Sequence, residues 1–447
     1  MEVFPSTAHR LLARVAEAQA NARVPSLVAG VVRDGALAWS GARGRVEGTP
    51  PGRDTQYRIG SISKTFTALL VMRLRDEGAL ALTDRYGDHV PGTPFDDRTV
   101  GQLLAQGAGL QAETSGGWWE RTPVGSWDEV VAALDGHAVP HAPGRRFHYS
   151  NLGYGALGEL VARKRGRPWF EALRAEVLEP LELRRTSYRP QPPHARGFAV
   201  HPWAELLLDE PEHDAGALAA AGQLWSTLDD LGRLAAFLLG DTGDVLSPDT
   251  LEEMKAPALV VDEKGKLAGS YGLGLQISEV DGRRLVGHSG AMPGFVAGVF
   301  VDGAARLGAA WAANITYGSD PDLCAALLQI VREAEPPLPD EWEPAPLPDG
   351  VGLELLGIWY WGPHAMALRA TRGGLLELHA PGGRGRESRF RRDGDAWVGL
   401  DGYWAGERLR FAPDRRSFDL ASFVYTREPY ADGPIPGGVD PDGWTTS

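Results

Sequence analysis

Cysteine is nearly absent from this 447-residue chain. The single thiol, Cys324, excludes an intramolecular disulfide, and its apolar helical surroundings read as packing rather than as a nucleophile's setting. Positive charge is short as well. Lys and Arg number 45 against 59 Asp and Glu, and the resulting net charge of −14 repels phosphate backbones and anionic lipid surfaces. Neither nucleic acid nor a membrane is an expected partner. No apolar run approaches the length of a membrane span, and the opening "MEVFPSTAHRLLARVAEAQA" has an early acid and no unbroken apolar stretch such as a secretory leader needs. These absences together point to the cytoplasm. Paired-histidine motifs and Gly-x-Ser-x-Gly are also missing, so no metal, no cofactor and no α/β-hydrolase is expected.

What is present is an ordinary globular balance, with 43% apolar and 23% charged residues, in a chain too long for one core. Residues 8–22 carry a helical apolar period, and "SLVAGVVRDGALAWSGARG" reads as two strands joined at Asp34-Gly35. Helices are expected after Ser61, within "GQLLAQGAGL" and "SWDEVVAAL", and in "SNLGYGALGELVARKRG" and "WSTLDDLGRLAAFLLG". The period then changes to strand alternation, with Asp-Gly turns at 281 and 302, and returns to helix over 321–335. Helices lying between two sets of strands predict an α/β (α+β) layer domain over 1–335. A Pro- and acid-rich linker follows at 336–350, since proline forbids a helix or central strand there. Short strands at regular turn spacing predict a small antiparallel β-barrel over 351–430, and 431–447 reads as a loosely ordered tail.

Lysine is the residue whose scarcity is most informative. It occurs at Lys64, Lys164, Lys255, Lys264 and Lys266, and the one Ser-x-x-Lys in the chain joins Ser61 to Lys64 in "RIGSISKTFTALLVMRL". A helix start presents unpaired N–H groups that favour a developing oxyanion, and Lys64 lies one turn on from Ser61. For Lys64 to accept a proton its pKa must fall from about 10.4, which burial in an apolar helix supplies. Taken alone, the tetrapeptide fits a capping serine and a lysine reaching for solvent better than it fits catalysis. Two further stretches bear on the choice. Tyr149-Ser150-Asn151 stands before a predicted helix, and His288-Ser289-Gly290 ends a predicted strand.

Ser-x-x-Lys, then Tyr-x-Asn, then His-x-Gly resembles the serine β-lactamase and penicillin-binding-protein superfamily, in its branch nearest class C enzymes and D-aminopeptidases. "YRIGSISKTFTALLVMRLRDEG", "LLAQGAGL", "FHYSNLGYGALGELV", "AAGQLWSTLDDLGRLAAFL", "YGLGL" and "GHSGAMPGF" are similar to the family's blocks in the family's order, over roughly residues 20–330. The resemblance implies an antiparallel sheet flanked by helices with a helical subdomain, and a C-terminal barrel similar to the lipocalin-like barrel of some members. It implies Ser61 as nucleophile, Lys64 and Tyr149 as the proton-transfer pair, and Asn151 as a donor to the substrate's amide. His288 would stand beside the leaving group or substrate tail, with Ser289 and Gly290 lining the site. The N–H groups of Ser61 and Ala291 would form the oxyanion hole.

The chain also departs from the family. His288 replaces the lysine of many relatives and is mostly neutral at pH 7, so a permanent cation for a substrate carboxylate is missing. This favours esters, or peptides whose carboxylate is elsewhere, over β-lactams and D-Ala-terminated peptides. "LLAQGAGL" carries Gln106, Ala108 and Gly109 where relatives often have His and Ser-Gly. The Gly-rich loop "QAETSGGWWERTPVGSW" holds Trp118 and Trp119, read either as an apolar wall for an acyl group or as a satellite cluster holding the loop down. The expected function is hydrolysis of an ester or peptide bond through an acyl-enzyme. The alternatives are a penicillin-binding-protein-type thioesterase that transfers a peptidyl group from a carrier protein to an amine, a weak β-lactamase or D-Ala carboxypeptidase, and a non-catalytic binding protein.

Overall fold

The computed structural model describes residues 2–429 apart from 319, 340 and 384, so the tail expected at 431–447 lies outside the described residues. Two compact units divide between Pro337 and Leu338. In the first, an eight-stranded antiparallel sheet is built from β1 (Ser26–Arg33), β2 (Ala36–Gly44), β3 (Leu259–Glu263), β4 (Lys266–Tyr271), β5 (Gln276–Val280), β6 (Arg283–Met292), β7 (Phe295–Asp302) and β8 (Leu307–Ala313). Its order is β2-β1-β8-β7-β6-β5-β4-β3, so the amino-terminal hairpin joins the later strands through β1 and β8, with Val28 opposite Ala312. The β1–β2 turn is the expected Asp34-Gly35, both with positive φ.

Both faces of the sheet are covered. On one side Leu27, Ala29 and Val31 pack against α1 (Pro5–Asn21) and, later in the chain, the helix Leu323–Ala334. On the other, Val28, Val32, Val299 and Val301 meet α2 (Ile62–Asp76), α3 (Asn151–Arg165) and α4 (Leu228–Leu238). The first helix starts earlier than the apolar period predicts because Pro5, with no N–H to lose, fits its first turn. Gly78, Gly166 and Gly240 take positive φ just past α2, α3 and α4, as glycines that end helices do. The Ser150 and Thr227 hydroxyls cap α3 and α4 by accepting from the N–H groups of Gly153 and Asp230.

Residues 336–350, apart from 340, form neither helix nor strand. The second unit is a closed antiparallel barrel of eight strands, from Gly357–Trp361 to Phe423–Thr426. Its interior is filled by side chains, Trp359, Leu368, Phe390, Leu409 and Phe418 among them, all fully buried. Small barrels close on their own side chains in this way. Among the described residues no helix is long and apolar enough to cross a membrane.

Candidate active site

Ser61 is the residue before α2 and is half-buried, with helical φ and ψ and no capping bond from its hydroxyl. The capping reading therefore fails, and the hydroxyl is left to other partners. Lys64 does not reach for solvent either: it is fully buried. Its Nζ donates to Ser61 Oγ at 3.0 Å, to Asn151 Oδ1 at 2.7 Å and to the Ala221 carbonyl at 2.8 Å. The rings of Tyr149 and Tyr154 flank it at 4.8 and 5.7 Å. Burial drives its pKa down from 10.5 to about 7, against the partial support of the Glu113 and Glu120 carboxylates.

Those three contacts decide what the neutral amine does. A charged ammonium has three N–H groups for three acceptors, whereas a neutral amine has two and a lone pair. Asn151 Oδ1 and the Ala221 carbonyl can only accept, so the lone pair must turn to Ser61, the one partner with a proton to give. The orientation of the Asn151 amide is itself fixed. Its Nδ2 donates to both carboxylate oxygens of Glu113, at 2.9 and 3.0 Å, which leaves Oδ1 facing Lys64.

The Tyr149 ring lies against Lys64 Nζ, and burial raises its pKa well above 10, so it is a proton-bearing phenol. Behind Ser61 two glycines let the backbone pass β6. A Cβ on Gly60 would lie 2.6 Å from the Ala291 nitrogen, and one on Gly290 would lie 2.8 Å from the Ser61 nitrogen and 2.0 Å from the Ile59 carbonyl oxygen. This brings the nitrogens of Ser61 and Ala291 to one spot. Met292 and Phe295 close a two-residue hairpin, so the Ala291 N–H points away from β7 and, like the Ser61 N–H, is free to meet a developing oxyanion.

A family model described as Beta-lactamase matches residues 11–332. The chain belongs to that family. A second model, described as a domain of unknown function, matches residues 348–427. A beta-lactamase-like protein of Homo sapiens is 28% identical over 338 residues, covering 70% of this chain and 67% of that protein. The match to protein flp of Staphylococcus aureus covers only 28% of that protein's length. The octameric penicillin-binding protein homologue from Pyrococcus abyssi superposes with a TM-score of 0.64 at 22% identity, over 94% of this chain and 99% of that one. SurE, solved with D-Leu, gives 0.58 at 25% identity, over 95% of this chain and 100% of that one.

Within this β-lactamase fold several expectations from sequence need correction. His288 does not face a substrate tail: it is fully buried, with Nδ1 donating to the Ser289 carbonyl and Nε2 accepting from the Tyr271 hydroxyl at 3.0 Å. Burial and the neighbouring Lys64 hold its pKa at about 3, so it is neutral. Asn151 is not an open donor, since Glu113 takes its Nδ2. The tryptophan pair is split. Trp118 is 59% exposed, donating to Glu120 and stacked by Arg121. Trp119 is buried in a small cluster with Ala215, Leu218 and Met292, and donates to Glu113. Ser289 is exposed and bonds Gln276 Oε1 at 3.1 Å.

Two of the three departures in "LLAQGAGL" now have a structural account. Gln106, at a positive φ of 59°, accepts from the Ser150 N–H through its side chain at 2.8 Å and from the His148 N–H through its carbonyl at 2.9 Å. It thereby pins the segment that carries Tyr149. Gly109 is required because a Cβ there would lie 2.2 Å from the His141 carbonyl oxygen. Sequence reasoning missed Glu113, Tyr271 and the Ala221 carbonyl. Of these, only Glu113 carried a signal, as one of two acids in the loop singled out for its tryptophans.

Proposed function

We propose that this chain is a serine hydrolase of amides or esters whose reacting end carries no free carboxylate. Ser61 Oγ attacks the carbonyl carbon as its proton passes to neutral Lys64, and the oxyanion is held by the N–H groups of Ser61 and Ala291. The C–N or C–O bond breaks as Tyr149 protonates the departing heteroatom, with the proton on Lys64 restoring the phenol. Water then repeats the sequence on the acyl-Ser61 ester and releases the acid. The observation that carries this reading is the lone pair of Lys64, which has Ser61 as its one possible donor. A neutral, buried His288 supports the absence of a carboxylate receptor. The likeness to SurE, solved with D-Leu, supports an acyl half derived from an amino acid.

The test is the intact mass of the protein after treatment with a fluorophosphonate and with an activated aminoacyl ester. The wild type should gain one adduct mapped to Ser61, and Ser61→Ala none, with turnover down by about 10³-fold or more. An adduct retained by Ser61→Ala overturns the proposal.

A further inference from the structure

We infer that the cleft beside Tyr149 is the subsite for the leaving group, and that it takes an uncharged, ring-sized alcohol or amine. This rests on the acyl-transfer reading above and names one half of its substrate. The cleft offers about 380 Å³ between the segment carrying Phe147 and Tyr149 and the strands β4, β5 and β7. An apolar cavity of about 150 Å³ already admits benzene, so this space admits a substituted ring.

Three observations identify the occupant. Tyr149 belongs to both places, its ring 4.8 Å from Lys64 Nζ and its side chain lining the cleft. As the proton donor to the departing heteroatom it must lie on the leaving group's side of the reacting carbon. Asn151, which accepts from Lys64, and Glu113, which accepts from Asn151, are not among the residues that line this cleft, so the acyl half has its own surroundings. The lining is also uncharged throughout. Phe147, Tyr271, Ile277 and Phe300 supply apolar surface, with the Phe147 and Tyr271 rings 5.5 Å apart, and Ser278 and Gln276 supply neutral polar groups. A carboxylate there would lose its hydration for no cation in return, whereas an aryl or alkyl group buries apolar area.

The bond changes are those of acylation. Ser61 Oγ–C forms, C–O or C–N breaks, and the neutral alcohol or amine departs with the proton from Tyr149.

The experiment compares esters of one acyl acid that differ in the leaving group: methyl, p-acetylphenyl and p-carboxyphenyl. The wild type should prefer p-acetylphenyl over p-carboxyphenyl in kcat/KM by about tenfold or more. Ser278→Trp, which fills the cleft, should lower the ratio of p-acetylphenyl to methyl ester kcat/KM by about tenfold. Ala268→Phe, at the exposed rim of the same cleft, repeats the test should Ser278→Trp fail to fold. Fluorophosphonate labelling of Ser61 reports that each variant is folded. Equal wild-type rates on the two aryl esters, or an unchanged ratio in a variant that still labels, overturns the subsite and leaves the acyl-transfer reading standing. If the wild type is acylated by neither ester nor fluorophosphonate, both fall.

Discussion

Lys64 gives the sharpest handle on the chemistry. A fall in pKa from 10.5 to about 7 corresponds to roughly 5 kcal/mol of penalty on the charged amine inside the fold. Two consequences are separable. For catalysis, acylation needs the neutral amine, so its rate should rise about tenfold per pH unit below 7 and level off above it. For stability, the folded pKa lies below the unfolded one, so the unfolded chain binds more protons between pH 7 and 10.5, and stability from this group rises across that window. Below pH 7 the lysine is charged in both states and the penalty is fully present. Lys64→Met should therefore be more stable than wild type at pH 6, by up to about 5 kcal/mol less the hydrogen bonds it forfeits. That advantage should shrink as pH approaches 10. The assays are the pre-steady-state acylation rate with an activated ester from pH 5 to 9, and denaturant unfolding of both proteins at pH 6 and 9.5. An acylation rate flat from pH 5 to 9, or a stability gap that widens with pH, refutes the reasoning.

Glu113 raises the pKa of Lys64, so Glu113→Gln should move the acid limb of the acylation profile to lower pH while the amide of the new side chain still accepts from Asn151; an unmoved limb would separate Glu113 from the base. His288→Lys would bury a second ammonium beside Lys64, so melting should fall by about 8 °C or more and penicillin acylation should not improve. Unchanged melting with faster penicillin acylation would show that position 288 reaches the substrate. Gly290→Ala sets a Cβ 2.0 Å from the Ile59 carbonyl oxygen and 2.8 Å from the Ser61 nitrogen, and should cost about 10²-fold in acylation at unchanged far-UV circular dichroism; full activity would remove Ala291 from the oxyanion hole.

Spacing along the chain made much of this molecule legible. Ser61 and Lys64 share a helix, so their proximity is local geometry, and the glycine stops and Ser150 cap of α2 and α3 are short-range rules that survive into the fold. Tyr149 and His288 were found by motif, and the structure places both rings near the base. What the linear pattern could not carry was direction. Nothing in His-Ser-Gly says that the imidazole turns inward to Tyr271 and the Ser289 carbonyl rather than outward to a substrate. Glu113 escaped because isolated carboxylates in a Gly-rich loop have no period, and its meaning comes from Asn151, distant in sequence but 2.9 Å away in space. Helix bounds shifted where one residue's backbone chemistry overrode the apolar period, as at Pro5 and at the positive φ of Gln106. For the barrel, short strands at regular turn spacing were enough to read a small antiparallel barrel, and the structure closes it with eight strands.

The pairing of β1 with β8 sets when this protein can exist as an enzyme. Val28 meets Ala312 across roughly 280 residues of intervening chain, so the sheet cannot join until nearly the whole first unit has been synthesised. Until then β1 is an open edge rich in valine and leucine, and α2, buried almost all round in the finished fold, has no sheet to cover it. The oxyanion donors share the same schedule, because the Ser61 nitrogen is in place early in the chain and the Ala291 nitrogen late. A nascent chain stopped before β6 therefore carries serine, lysine and tyrosine without an oxyanion hole, and the catalytic centre is assembled by closure of the sheet rather than by any one of its motifs.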